Sequence, residues 1–170
     1  LNSGLEITFT DERGTEAKSE TFYYKDGVEE FVKQLNKSKE AIHPKPISFR
    51  KESKLTNDDK EIEIHCEIVL QYNDSYNDQV LCYTNTVHNP DGGSHLSGFR
   101  SALTRAINQY AKSNELLKDK DPQITGDDVR EGLTAVISVK HSDPKFESQT
   151  KVKLISPEVD GIVGSVCYEG

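Results

Sequence analysis

The sequence predicts one α+β domain, in which helices pack on one face of a β-sheet. Apolar residues alternate with polar ones near the N-terminus and again in the centre of the chain, which indicates strands. A long stretch after residue 94 carries apolar residues at helical spacing instead. Because strands come first and helices dominate later, the order of elements is typical of α+β, and 170 residues suffice for one domain with a core.

A hairpin and a short helix are predicted at the N-terminus. The hairpin turns at residues 11–14, and its alternating apolar residues are Leu5, Ile7, Phe9, Phe22 and Tyr24. Apolar residues recur at helical spacing over residues 28–35, and Asp26 is the predicted N-cap of that helix. Two prolines mark residues 42–46 as a connector.

The clearest strand pattern lies in the centre of the chain. Its alternating apolar residues are Ile62, Ile64, Cys66, Ile68 and Leu70. Residues 57–63 are interpreted as a solvated turn leading into this strand, and residues 73–78 as the turn that ends it. Residues 80–84 are the predicted antiparallel partner, which gives a long hairpin with one buried face.

The loop at residues 88–94 precedes the predicted long helix. One apolar stripe runs along this helix, formed by Leu96, Phe99, Leu103, Ile107 and Tyr110. Thr125 and Asp128 then have capping-box spacing for a short helix over residues 126–132.

An apolar run at residues 133–139 predicts a buried strand after the short helix. The polar loop that follows ends at Ser156, Pro157 and Glu158, which have N-cap, N1 and N2 character for a last helix.

The composition excludes some classes of protein. A net charge of −8 argues against a protein whose whole surface binds nucleic acid, although a local basic patch is compatible with it. Cys66, Cys82 and Cys167 lack CxxC or metal-binding spacing, and the first two lie in strand-like runs, so we expect packed thiols in a reduced, cytoplasmic protein. The five histidines form no metal motif, and no metal site is predicted.

No membrane segment or signal peptide is predicted, because no apolar stretch approaches the roughly 20 residues that span a bilayer. The chain begins at Leu1 and contains no methionine, so we expect it to be part of a longer protein.

The turn formed by Asp91, Gly92 and Gly93 stands directly before the long helix. Glycines allow positive φ and close backbone approach, and N–H groups at a helix start suit anions. The stretch matches neither GxxxxGK[ST] nor GxGxxG. A structural turn that permits tight entry into the helix is therefore favoured over a phosphate cradle.

Arg100 lies beside the apolar stripe of the long helix, at about 40° from Leu96 on a helical wheel. A guanidinium in this position needs a carboxylate, a carbonyl or a phosphate as partner. An ordinary salt bridge at the edge of the core and a basic group facing an internal channel both remain open.

The loop after the last strand presents Gln149, Thr150 and Lys151 in a row. Lysine can place a point charge on a γ-phosphate, and a neighbouring glutamine amide could orient water or donate to the phosphate. The tripeptide alone is weak support for such a role. Because neither a carboxylate pair for Mg²⁺ nor a glycine-rich lid is recognisable, the chain is not expected to form a complete ATP site.

Several stretches together resemble the second, transducer domain of the B subunits of DNA gyrases. They occur in the family's order and are LNSG at 1–4, IHP at 42–44, DGGSHLSGFRSALTRAIN at 91–108, TGDDVREGLTAVISVK at 125–140 and DPKFESQTKVKL at 143–154. The resemblance covers essentially the whole chain. Topoisomerase IV B subunits are close relatives and remain an alternative, as does a stand-alone nucleic-acid-binding module of similar fold.

The resemblance implies a ribosomal-protein-like two-layer α+β sandwich, with helices on one face of a mixed sheet and a left-handed βαβ crossover, against the usual handedness. It implies that Lys151 reaches the γ-phosphate of ATP held by a preceding GHKL domain, with Gln149 beside it as the second catalytic contact. Arg100 would line the cavity through which DNA passes, and Asp91, Gly92 and Gly93 would form a scaffold turn. Ser94 departs from the family, where threonine is usual.

The resemblance also implies the surroundings of the domain. Residues 1–155 would form the transducer, and residues 156–170 the start of a helix leading to a TOPRIM domain. ATP and Mg²⁺ would be bound mainly by the GHKL domain, so the segment alone is expected to be inactive, although it belongs to an ATP-dependent DNA topoisomerase. The implied partners are gyrase A, a second gyrase B protomer and DNA, and the implied function is to couple ATP turnover to gate closure, strand passage and negative supercoiling.

Overall fold

The computed structural model describes residues 1–57, 60–118 and 120–170. Within them lie seven strands and four helices: β1 Glu6–Asp11, β2 Lys18–Tyr23, α1 Val28–Leu35, β3 Ile47–Asn57, β4 Lys60–Tyr72, β5 Gln79–Thr84, β6 Val87–His88, α2 Ser94–Ser113, α3 Gly126–Arg130, β7 Leu133–His141 and α4 Pro157–Glu169.

Five strands form one mixed sheet in the order β3-β4-β7-β5-β6. All neighbours are antiparallel except β5 and β7, which run parallel and are connected through α2 and α3. The predicted α+β class with a mixed sheet is confirmed. The crossover from β5 to β7 is present, and its left-handedness stays a prediction of the resemblance.

The predicted pairing of residues 80–84 with the central strand is wrong. β7 lies between β4 and β5, pairing Leu70 with Ala135 on one side and Val80 with Ala135 on the other. The physical reason is that β7 is buried along almost its entire length, on both faces, and therefore belongs in the middle of the sheet.

The antiparallel partner of β4 on its other side is β3, a strand the sequence analysis did not identify. The two pair from Ile47 opposite Leu70 to Asn57 opposite Lys60. Residues 60–63, predicted as part of a turn, belong to β4, and residues 58 and 59 of that turn lie outside the described residues.

The two sheet faces carry different partners. Apolar side chains on one face, among them Ile64, Ile68 and Ile137, form the main core with α2, α3 and α4. On the opposite face, Val69 and Val136 pack with the short helix α1. The buried thiols of Cys66, Cys82 and Cys167 are free, as expected for packed thiols, and burial raises the pKa of the first two to about 12.

The N-terminal hairpin is confirmed but forms a separate two-stranded sheet. Ile7 and Phe9 are 54% and 60% exposed, and Phe22, opposite Ile7, is 37% exposed. The alternation therefore identified the strands correctly, but the described residues do not cover their apolar face.

The three predicted helix starts have different outcomes. Thr125 and Asp128 form the predicted capping box, and Ser156 with Pro157 begins α4 as predicted. The N-cap of α1 is Gly27 instead of Asp26, because the chain enters the helix through a turn at Gly27, whose φ of +55° favours glycine. The Asp26 N–H donates to the Glu30 carboxylate, 3.0 Å away.

Candidate functional site: the loop before the last helix

Gln149, Thr150 and Lys151 lie exposed at the tip of a hairpin-like loop between β7 and α4. The base of the loop is closed by backbone hydrogen bonds, from the Glu147 N–H to the Lys153 carbonyl at 3.1 Å and from the Ile155 N–H to the Lys145 carbonyl at 2.8 Å. The loop therefore has a defined, hydrogen-bonded base, and its tip presents the predicted residues to solvent.

Lys151 itself adopts a left-handed backbone conformation, with a φ of +57°. Its N–H donates to the Ser148 carbonyl at 3.0 Å, which closes the turn at the tip. Its Nζ lies 5.8 Å from the centre of the Phe146 ring. Among the described residues no carboxylate lies within 4.0 Å of this ammonium, so its charge is available to an external anion.

The turn formed by Asp91, Gly92 and Gly93 clamps the other side of the loop. The Asp91 N–H donates to the Val152 carbonyl, and the Gly92 carbonyl accepts from the Leu154 N–H, both at 3.0 Å. A Cβ on Gly93, whose φ is +126°, would lie 2.0 Å from the Leu154 carbonyl oxygen. The geometry thus joins the turn to the loop backbone by a contact that only glycine permits.

The clamp continues into the first turn of α2. The Ser94 N–H donates to the Leu154 carbonyl at 3.0 Å. Three backbone hydrogen bonds consequently hold the loop against the turn and the beginning of α2.

A buried polar network lies directly beneath the loop. Asn89 is 1% exposed, and its Nδ2 donates to the Lys151 carbonyl at 2.7 Å. Its Oδ1 lies 2.7 Å from the Thr84 hydroxyl and 3.0 Å from His95 Nε2. His95 Nδ1 accepts from the Leu96 N–H at 3.0 Å, so the proton of the neutral ring is on Nε2 and is donated to Asn89.

Burial keeps His95 neutral, because it lowers the pKa of the imidazole from 6.5 to about 4. We expect the chain to lose stability as the pH falls from 6.5 towards 4, since the unfolded state takes up the proton before the folded state does. The loss should approach about 3 kcal/mol, the equivalent of the lowered pKa. Urea unfolding of the chain at a series of pH values measures it.

The matched variants for this prediction are His95→Gln and His88→Gln. His95→Gln should be less stable at pH 7, and its free energy of unfolding should depend less on pH. His88 is exposed, so His88→Gln should keep the pH dependence of the wild type. An unchanged slope in His95→Gln would show that another group titrates.

Arg100 is half-exposed, and its Nη2 lies 3.5 Å from the Asp78 carboxylate. Arg130 Nε lies at the same distance from that carboxylate, and a second Arg130 nitrogen pairs with Asp127. The edge salt bridge that the sequence left open is therefore present, and a contact with DNA stays a prediction. No hydrogen bond or ion pair links Arg100 to Gln149 or Lys151, all of which are described.

Sequence reasoning did not identify Thr84, Asn89 and His95 as part of this site. Asn89 and His95 flank the glycine turn, but neither follows a motif, and their contacts involve a backbone carbonyl and a strand end. Buried polar side chains almost always have hydrogen-bond partners, and only this general rule could have indicated that the three residues bond to one another.

Within the described ranges, no group of three or more histidine, cysteine, aspartate or glutamate side chains could hold a metal ion. In the described part of the chain, no helix is both long enough and apolar enough to span a membrane.

Comparisons with known proteins identify the family. The family model described as DNA gyrase B matches residues 27–170. The chain is 46% identical to the DNA gyrase B protein of Clostridium acetobutylicum over 99% of its own length, and 43% identical to that of Mycobacterium tuberculosis over 99%. It spans about a quarter of each relative, 25% and 28% respectively.

The solved structures agree with the sequence relatives. The 43K ATPase domain of Thermus thermophilus gyrase B, in complex with an aminocoumarin, superimposes with a TM-score of 0.80 at 40% identity, over 98% of this chain and 42% of that one. The topoisomerase IV ATP-binding domain of Francisella tularensis shares the fold, with a TM-score of 0.71 at 24% identity over 97% of this chain and 41% of that one. A family match over residues 27–170, with relatives and a fold that agree, means that the chain belongs to the DNA gyrase B family.

Proposed function

We propose that the chain is the transducer domain of a gyrase B protein. It couples ATP binding and hydrolysis in a preceding GHKL domain to closure of the N-terminal gate and to DNA strand passage during negative supercoiling. The observation that carries the proposal is Lys151, an ammonium available to an anion at the tip of a loop whose base is clamped to the domain. Relatives at 43–46% identity that are gyrase B proteins favour gyrase over topoisomerase IV.

Lys151 and Gln149 are the proposed contacts to the γ-phosphate. The ammonium would neutralise charge on the phosphoryl oxygens, and the amide would donate to them or orient water. Both side chains are exposed and would be accessible to a terminal phosphate held by another domain. The general base and the Mg²⁺ ligands would come from the GHKL domain, so the isolated segment should not hydrolyse ATP.

One exposed surface supports a proposed neighbour in the full-length protein. The apolar face of the hairpin, with Ile7 and Phe9 more than half exposed, suits a contact with the preceding GHKL domain, because a two-stranded hairpin alone is marginally stable. At the other end, α4 packs on α2 and would lead from the transducer, residues 1–155, towards a TOPRIM domain. Gyrase A, a second gyrase B protomer and DNA complete the proposed cytoplasmic assembly.

Arg100→Gln tests the coupling to DNA. In the full-length protein assembled with gyrase A, we expect DNA-stimulated ATP hydrolysis and supercoiling to fall several-fold while basal hydrolysis changes little, because the half-exposed guanidinium would face the DNA cavity. ATPase assays with and without DNA measure both rates.

Arg105→Gln is the matched control on the same helix. Its guanidinium lies over the Tyr168 ring, 4.9 Å from the centre, and the substitution removes the same charge from another side of α2. Unchanged DNA stimulation in Arg100→Gln, or an equal loss in Arg105→Gln, would contradict the proposed role.

A further inference from the structure

The backbone of Lys151 is held from beneath by a side chain outside the loop. The carbonyl of Lys151 accepts from Asn89 Nδ2 at 2.7 Å, while its N–H is bonded to Ser148 on the other side. A residue other than glycine at a φ of +57° is in a conformation of higher energy, which neighbouring contacts must hold. The hydrogen bond from Asn89 is such a contact.

The orientation of the Asn89 amide is fixed by two donors at its oxygen. The Thr84 hydroxyl and His95 Nε2 both donate to Oδ1, so Nδ2 must face the loop. Thr84 is the last residue of β5, and His95 lies in the first turn of α2. One buried side chain thus ties the end of the sheet, the start of the helix and the tip of the loop together.

We propose that Asn89 is a positioning residue for Lys151, with Thr84 and His95 orienting its amide. The network fixes where the Lys151 side chain leaves the loop, and hence where its ammonium meets the terminal phosphate of a nucleoside triphosphate. This inference rests on the proposed function. It goes further, because it proposes that buried residues without contact to the nucleotide determine the position of the Lys151 ammonium.

A positioning role differs from a purely structural one in what it does to nucleotide preference. A nucleoside diphosphate lacks the phosphate that Lys151 would contact, so misplacing Lys151 should weaken triphosphate binding and leave diphosphate binding intact. General loosening of the domain would weaken both or neither. The ratio of the two affinities therefore separates the two roles.

The experiment measures binding of ADP and of the non-hydrolysable analogue adenylyl imidodiphosphate to the full-length protein. Asn89→Asp keeps an oxygen for Thr84 and His95 and removes the N–H that the Lys151 carbonyl accepts. We expect it to lower the preference for the triphosphate analogue about tenfold, within the range that misplacement of a reacting group can cost. Lys151→Ala provides the reference for complete loss of the contact.

Two further variants keep the test decisive. Thr84→Val removes one orienting donor at nearly constant volume and should lower the preference in the same direction by a smaller factor. Asn73→Asp is the matched control, because it makes the same change at another buried amide, whose Nδ2 donates to Asn36 and Thr134 at the opposite end of the sheet. It should leave the preference unchanged.

Each alternative outcome points to one cause. An intact preference in Lys151→Ala overturns the proposed phosphate contact itself. A loss in Lys151→Ala with an intact preference in both Asn89→Asp and Thr84→Val overturns the positioning role alone. If the Asn89 and Thr84 variants bind both nucleotides equally more weakly, or if Asn73→Asp loses the same preference, the network contributes to stability only. Either result also overturns the positioning role.

Discussion

ATP hydrolysis by the full-length protein is expected to fall by about 10²–10³-fold when Lys151 is replaced by alanine, the range typical of removing one group that stabilises developing charge. Supercoiling should fall with it. The side chain is exposed and bonded to no carboxylate of the described residues, so folding should be unaffected. Steady-state ATPase and supercoiling assays, with circular dichroism to verify the fold, measure the effect.

Lys153→Ala is the control for that experiment. Lys153 lies on the same loop, but its ammonium is 3.2 Å from the Glu147 carboxylate and is already paired. Its removal should change hydrolysis little. Near-normal ATPase activity in Lys151→Ala would refute the assignment of the loop to the γ-phosphate.

Gly93→Ala is expected to be the most destabilising single change in the clamp. The new Cβ would lie 2.0 Å from the Leu154 carbonyl oxygen. The backbone at this position has a φ of +126° and a ψ of −149°, which residues other than glycine rarely adopt. Because the obstacle is backbone, the loop must move away, and we expect a loss of more than about 3 kcal/mol in the free energy of unfolding. Urea unfolding of the chain provides the number.

Gly161→Ala is the matched control, since nothing lies within 4 Å of a Cβ at that position in α4. It should leave stability unchanged or raise it by up to about 1 kcal/mol, as alanine is the better helix residue. If Gly93→Ala unfolds at the same urea concentration as Gly161→Ala, the close approach in the clamp is not real.

Local elements could be predicted from the sequence because their causes are local. The alternation in β4, the capping box at Thr125 and Asp128 and the proline at the start of α4 all act within a few residues. Strand partners could not be predicted in this way. The apolar run in β5 predicts a strand, but it does not say that β7 would insert beside that strand.

The strand β3 was missed for a related reason. Its sequence, ISFRKESKLTN, is rich in charge because one face pairs with charged residues of β4, as Arg50 does with Glu67 at 2.8 Å. Charged residues lower the apparent strand signal when the partner is unknown.

Some residues of the candidate site could likewise be predicted from the sequence, and others could not. Gln149 and Lys151 could be found because their residue types suggest a phosphate contact. Asn89 could not, since it acts on a backbone carbonyl, and every residue has one.

The clamp between the loop and α2 also has a mechanical consequence. Backbone hydrogen bonds and the close approach of Gly93 to Leu154 join the two segments directly, so a displacement of the loop would be passed to the start of α2. This helix is 20 residues long and spans about 30 Å. A tilt of about 5° at the clamped end would move its far end by about 2.6 Å over that length.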